Sequence, residues 1–225
     1  MSDIVSRFEA LRVIPAAAIE RAEDAPALAD ALVAGGLPCL EVVLRTPAGI
    51  DAIRQVSRRS GILMGAGTVL TIDQVRAAVD AGAAFMVSPG YNPTVADYCL
   101  RQRILHIPGV CTPTEIEAAL ERGLRLFKFF PAEAMGGVGT LRAIGGPYGR
   151  VKFIPTGGIN AGNLSRYLRC PKVMACGGTW IAEASLIRRH RFEDIADLAR
   201  QAVAIANACD TESRIGSAEP GGELP

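Results

Sequence analysis

The chain has little lysine and almost no histidine. Of its 24 basic side chains only three are lysines, at positions 128, 152 and 172, and there are two histidines, His106 and His190. Two imidazoles are too few for a His-rich catalytic metal site. The six cysteines (Cys39, Cys99, Cys111, Cys170, Cys176 and Cys209) form no CxxC pair and no zinc-like spacing. No metal site is therefore expected, and the thiols read as scattered, reduced core residues. Net charge is also small, since 24 basic against 23 acidic side chains leave +1. Nucleic-acid binders carry a basic excess, so no nucleic acid partner is expected. No run approaches the roughly 18 consecutive apolar residues of a membrane span. The opening MSDIVSRFEALR lacks the apolar stretch of a signal peptide. A cytoplasmic protein without a membrane partner is the expectation.

What is present is enough apolar material for a core. The 225 residues are 49% hydrophobic and 21% charged, which argues against disorder over most of the length. Eight strand-length apolar runs, at 13–19, 38–45, 62–69, 84–89, 104–110, 125–131, 152–158 and 173–179, alternate with helix-like segments such as 24–36, 48–61, 71–83 and 112–123. Several of those segments begin with Thr or Asp and end with Gly, which is N-cap and C′ chemistry. The alternation predicts an α/β fold, and eight βα units are the number that closes a (β/α)8 TIM barrel. A doubly wound open sheet is the competitor, but it places its Gly-rich turn after the first strand. Here the glycines gather after the third, seventh and eighth runs. One domain is expected over residues 1–209, with a polar, Gly- and Pro-rich tail at 210–225 read as disordered.

In a barrel the chemistry gathers at the C-terminal ends of the strands. The second run places Glu41 and Arg45 on one face with Cys39 and Val43, because side chains alternate sides. A carboxylate in an apolar strand is costly unless it is paired or functional, so an internal ion pair is the alternative to a proton shuttle. The sixth run, Arg125 to Pro131, sets Lys128 among Phe127, Phe129 and Phe130. An ammonium there loses hydration, which disfavours the charged form and favours a nucleophilic amine. A stem lying in the apolar layer with its head in water is the alternative. Lys152 begins its strand and Lys172 follows Pro171, so both read as surface residues. The seventh and eighth runs end in Thr156-Gly157-Gly158 and Gly177-Gly178-Thr179. Paired glycines let backbone amides approach an anion, and barrels often bind phosphate there, though two tight turns would look the same. The third run carries Thr68 near its end, and the fourth ends at Ser88-Pro89. A lysine, a facing carboxylate, an arginine and an anion cradle suggest imine chemistry on a phosphorylated carbonyl compound. They do not choose among aldol cleavage, decarboxylation and isomerisation.

The segments GGLPCLEVVLRT, GAGTVLT, SPG, IPGVCTPTE, FKFFPAEAMGG, PTGGI and GGTW, in that order, resemble the motifs of the 2-dehydro-3-deoxy-6-phosphogluconate aldolase family. The resemblance covers about residues 12 to 200. It implies a (β/α)8 barrel, a homotrimer and a class I aldolase with no cofactor, acting on a small phosphorylated keto acid. It matches Lys128 to the Schiff-base lysine and Glu41 to the general acid/base. It matches Arg45, Thr68 and Pro89 to positions around the pyruvoyl carboxylate. Thr156, Gly157, Gly158, Gly177, Gly178 and Thr179 match the region that takes the rest of the substrate and its phosphate. Departures are Val43 where the family often has Thr, Thr179 where it has Ser, and Ala16 to Ala18 where some relatives carry an Arg. Two alternatives stand beside this reading. One is a 4-hydroxy-2-oxoglutarate aldolase, and the other a non-catalytic barrel that binds a sugar phosphate.

Overall fold

A computed structural model of the chain describes residues 2–59 and 61–216. Helix α1 (Ser2–Leu11) comes first. Strands β1 (Val13–Ala17), β2 (Cys39–Val43), β3 (Leu63–Gly67), β4 (Phe85–Val87) and β5 (Leu105–Ile107) then alternate with helices α2 (Ala25–Ala34), α3 (Gly49–Ser57), α4 (Ile72–Asp80) and α5 (Pro93–Arg101). The second half holds β6 (Gly109–Val110), α6 (Pro113–Leu120), β7 (Leu126–Phe129), α7 (Gly137–Gly145), β8 (Lys152–Pro155), α8 (Leu164–Leu168), β9 (Cys176–Gly178), α9 (Ala184–Arg188) and α10 (Phe192–Gly216). Thus α10 enters the segment read as a tail, and residues 217–225 of that segment lie outside the described residues. Among the described residues no helix is long and apolar enough to cross a membrane.

Every strand pair is parallel, and the strands fall in two sheets, β5-β4-β3-β2-β1-β9 and β6-β7-β8. All eight apolar runs contain strand, but the fifth is divided. Pro108 stands between β5 and β6 and has no N–H to give to a ladder. The Ile107 carbonyl accepts from the Ser88 amide (3.1 Å), and the Pro108 carbonyl accepts from the Lys128 amide (2.9 Å). The chain therefore passes from one sheet to the other at this proline. At the far edges, isolated parallel bridges join Phe153 to Val173 and Thr156 to Gly177.

Buried side chains form two layers. The outer layer joins alternate strand residues such as Leu40 and Val42 to helix residues such as Leu28, Leu32, Ile53 and Val56. The inner layer gathers the strand-start residues Cys39, Leu63 and Phe85 with Met174, which precedes β9, among others. Helix α1, which no motif announces, covers that end. Its Phe8 is fully buried and meets Phe85 edge-on, with ring centroids 5.0 Å apart. Burial of one such ring contributes about 2–3 kcal/mol. The expected capping appears at α4 and α6, where Thr71 with Gln74 and Thr112 with Glu115 form reciprocal capping boxes. Asp24 is different. It makes no cap bond to α2, because its carboxylate accepts two hydrogen bonds from Arg21 (3.0 and 2.8 Å).

Candidate active site

Strand β2 turns Glu41 to the inner side and leaves it 3% exposed, while its neighbours Leu40 and Val42 enter the outer layer. The register sets Glu41 beside Gly65 and Val43 beside Gly67. The inner face of β3 thus carries no side chain at Gly65 or Gly67. A Cβ on Gly67 would lie 2.1 Å from Glu41 Oε1, so the carboxylate occupies the space that this glycine leaves open. From β7, Lys128 reaches the same point, 6% exposed, with Nζ 3.6 Å from Glu41 Oε1 and 5.0 Å from the Phe130 ring centroid. The aromatic surroundings differ from those expected. Phe127 and Phe129 alternate away into the outer layer, and Phe130 alone faces the amine. Desolvation can cost a buried ion pair as much as its attraction returns, so burial of this pair is weak support for a purely structural purpose.

The pair forms the floor of a cavity of about 210 Å³ at the strand ends opposite α1. Its lining includes Glu41, Arg45, Thr68, Pro89, Lys128, Thr156, Gly157, Gly158, Gly178 and Thr179, all of them expected from the sequence. Gly177 is the exception. It pairs with Ile14, and a Cβ there would strike Thr156 Oγ1 at 2.4 Å, so it makes room for Thr156 rather than meeting the cavity. Four lining residues were not expected as site residues: Ala16, Val43, Phe130 and Ile159. Val43 was legible, since alternation puts it on Glu41's side of β2. Phe130 and Ile159 lie beyond their strands, where periodicity says nothing.

Arg45 is exposed at the rim, and its guanidinium makes no hydrogen bond or ion pair among the described residues. It can give a fork of N–H donors to a carboxylate. Thr68 holds a left-handed conformation (φ 57°), which costs a β-branched residue energy. Its neighbours fix it: the Gly67 carbonyl accepts from the Leu44 amide (2.8 Å) and the Val69 amide donates to the Val87 carbonyl (3.0 Å). Gly157 and Gly158 take φ of 100° and 79°, a succession open to glycine and strained for other residues. The Trp180 ring lies on Gly178, where a Cβ would sit 2.0 Å from Cζ3. Lys152 and Lys172 stand away from the cavity. Their ammonium groups hold loop carbonyls, Lys152 that of Pro171 (2.7 Å) and Lys172 those of Tyr148 (2.5 Å) and Gly149 (3.2 Å). Among the described residues no three His, Cys, Asp or Glu side chains come together as a metal site.

The Pro89 turn is held from behind. Ser88 Oγ donates to the Val69 carbonyl (2.6 Å) and so accepts from His106 Nε2 (2.8 Å). His106 Nδ1 is buried with no protein partner among the described residues. Burial lowers the imidazole from its ordinary value of 6.5 to about 4. A depressed folded-state value means that the unfolded chain binds the proton first. The contribution is complete above pH 6.5 and is lost as the pH falls from 6.5 through 4, amounting to about 3 kcal/mol. Urea midpoints of the native chain should fall across that window more steeply than those of His106→Gln. Equal slopes would show that His106 does not carry the effect.

A sequence model of the family described as KDPG and KHG aldolase matches residues 4–198. The chain belongs to this family. It is 45% identical over 206 residues to the 2-dehydro-3-deoxy-phosphogluconate aldolase of Treponema pallidum, covering 91% of this chain and 98% of that protein. The crystal structure of a KDPG aldolase from Legionella pneumophila, with pyruvate captured as a covalent carbinolamine intermediate, superimposes with a TM-score of 0.84 at 43% identity, covering 87% of this chain and 96% of that one. The Zymomonas mobilis aldolase crystallised with 3-phosphoglycerate gives 0.85 at 38% identity, covering 91% and 97%. The range that the family model matches contains strands β1 to β9.

Proposed function

We propose that the chain is a class I aldolase cleaving 2-dehydro-3-deoxy-6-phosphogluconate to pyruvate and glyceraldehyde 3-phosphate. The observation that carries this is the buried Lys128–Glu41 pair, 3.6 Å apart on the cavity floor. Lys128 Nζ attacks the C2 ketone, one of the amine's own protons passes to the oxygen, and Glu41 delivers the second, so that the oxygen leaves as water. The resulting iminium is the electron sink. Glu41, now a carboxylate, removes the proton of the C4 hydroxyl. The C3–C4 bond breaks, its electron pair moves into the iminium, and the aldehyde departs. Glu41 returns that proton to C3 of the enamine, and water hydrolyses the imine to release pyruvate. One carboxylate serves each step because it alternates between acid and base. Arg45 holds the keto-acid carboxylate beside Thr68 and Pro89. Thr156, Gly157, Gly158, Gly178 and Thr179 take the phosphate end, a role supported by the left-handed glycines Gly157 and Gly158, whose backbone amides can approach an anion closely.

We infer further that the two sheets close as one (β/α)8 barrel forming a single domain over residues 1–209. The bridge from Thr156 to Gly177 and the continuity of β5 and β6 through Pro108 support this reading. A homotrimer follows from the family resemblance and is checked by sedimentation. Its charged reactants do not cross membranes unaided, which favours a cytoplasmic setting.

Borohydride added with pyruvate tests the mechanism. A lactyl-sized adduct on the Lys128 peptide is expected. An adduct on Lys152 or Lys172, or none, would overturn the assignment. Turnover of the phosphorylated substrate is expected to exceed that of 4-hydroxy-2-oxoglutarate. The reverse order would make the chain a 4-hydroxy-2-oxoglutarate aldolase.

A further inference from the structure

One pair of polar side chains beside the cavity has no part in the mechanism above. Glu133 follows β7 by a few residues, on the loop that leaves Lys128. Its amide donates to the Gly157 carbonyl (3.0 Å), and the preceding amide of Ala132 donates to the Thr156 carbonyl (2.8 Å). Its methylene stem lies against Gly158, where an added Cβ would come within 2.7 Å of both Glu133 Cβ and Cγ. Its carboxylate turns the other way, towards Gly137, and accepts a hydrogen bond from the hydroxyl of Tyr167. Tyr167 is almost wholly buried in α8, the helix that follows the Gly157–Gly158 turn. Burial, and then the adjacent carboxylate, push its hydroxyl pKa up, so it remains the donor. On its downstream side the turn is held as well, since Asn163 Nδ2 donates to the Gly158 carbonyl (2.9 Å).

A turn of two left-handed glycines has little rigidity of its own. Backbone bonds and Asn163 hold its carbonyls, and Glu133, wedged between it and a buried tyrosine, packs against its Gly158. We propose that Glu133 and Tyr167 are positioning residues that hold the Gly157–Gly158 turn in the form that receives the substrate's phosphate. The pair thereby sets the preference for phosphorylated over unphosphorylated substrates without touching either. This rests on the assignment of that turn to the phosphate end.

The test measures KM and kcat on 2-dehydro-3-deoxy-6-phosphogluconate and on 4-hydroxy-2-oxoglutarate for the native chain and three variants. Tyr167→Phe keeps the ring and removes the hydrogen bond. Glu133→Ala removes the wedge. Glu133→Gln keeps both the stem and an acceptor for the tyrosine. For Tyr167→Phe and Glu133→Ala, KM for the phosphorylated substrate rises about tenfold, as expected for a lost hydrogen bond to a charged group. Their kcat on it, and both constants on the unphosphorylated substrate, stay within about twofold. Glu133→Gln keeps the native KM. An unchanged KM in the first two variants would overturn the proposal. So would a parallel loss on both substrates, which would mean that the pair merely supports the Lys128 loop. The underlying assignment fails separately, and in the native chain, if that chain does not prefer the phosphorylated substrate.

Discussion

Lys128→Arg is expected to lower kcat by about ten-thousandfold or more, the scale of loss seen when a covalent nucleophile is removed. The variant is chosen because it keeps a positive charge beside Glu41. Lys128→Met would strand a buried carboxylate, and a loss of folding would then mix with a loss of chemistry. Arginine cannot give up its proton and form an imine with a ketone. Without the imine, cleavage of C3–C4 must place its electron pair on a bare carbonyl, and the barrier rises accordingly. Single-turnover cleavage and borohydride trapping with pyruvate measure the effect together. The adduct disappears along with the activity. Residual kcat above about a hundredth of native, or an adduct that persists, would remove Lys128 from the role of nucleophile. Neither remaining lysine offers a substitute, because Lys152 and Lys172 are tied to loop carbonyls away from the cavity.

The second large effect belongs to Glu41. Positioned general acid–base catalysis contributes about 10²- to 10⁴-fold, and Glu41→Gln forfeits it with little change of shape. The pyruvate adduct still forms in this variant, only more slowly, since attack by the amine does not itself need the carboxylate. A kcat within tenfold of native would show that the carboxylate is only the lysine's counter-ion. Gly67→Ala reaches the same group from the neighbouring strand. Its new Cβ must displace a carboxylate oxygen that would otherwise stand 2.1 Å away. A shift of the reacting group of about 1 Å costs on the order of a hundredfold in rate. The two sites are therefore coupled. Shortening Glu41 to Asp is expected to cost less in the Gly67→Ala background than in the native chain. Strict additivity of the two losses would mean that Gly67 acts elsewhere.

Much of this site was legible in the residues. In β2, alternation alone put Glu41 on the inner side with Cys39 and Val43, and put Leu40 and Val42 among the helices. The scarcity of lysine singled out Lys128. The Gly-Gly pairs marked two loops, one of which faces the cavity through both glycines and the other through Gly178 alone. The errors have a common cause. Phe127 and Phe129 are Lys128's nearest neighbours in the chain but point away from it, whereas Phe130, just past the strand, faces it. Asp24 has the residue type of a helix cap, yet Arg21 claims its carboxylate. Helix α1 has no motif, and its place follows from the apolar end of the inner layer that Phe8 covers.

What the sequence by itself determined is local and periodic. It comprises the strand and helix alternation, the side to which each strand residue points, and the turns that need Gly or Pro. These follow from backbone sterics and from a two-residue repeat, and both act within a few residues. Only the tertiary structure decided that Glu41 and Lys128 stand 3.6 Å apart, that Gly67 leaves the space for the carboxylate, and that Gly177 serves Thr156 rather than the cavity. Those facts depend on the register between strands distant in the chain. Register is set by the packing of whole layers, which no short stretch of residues contains.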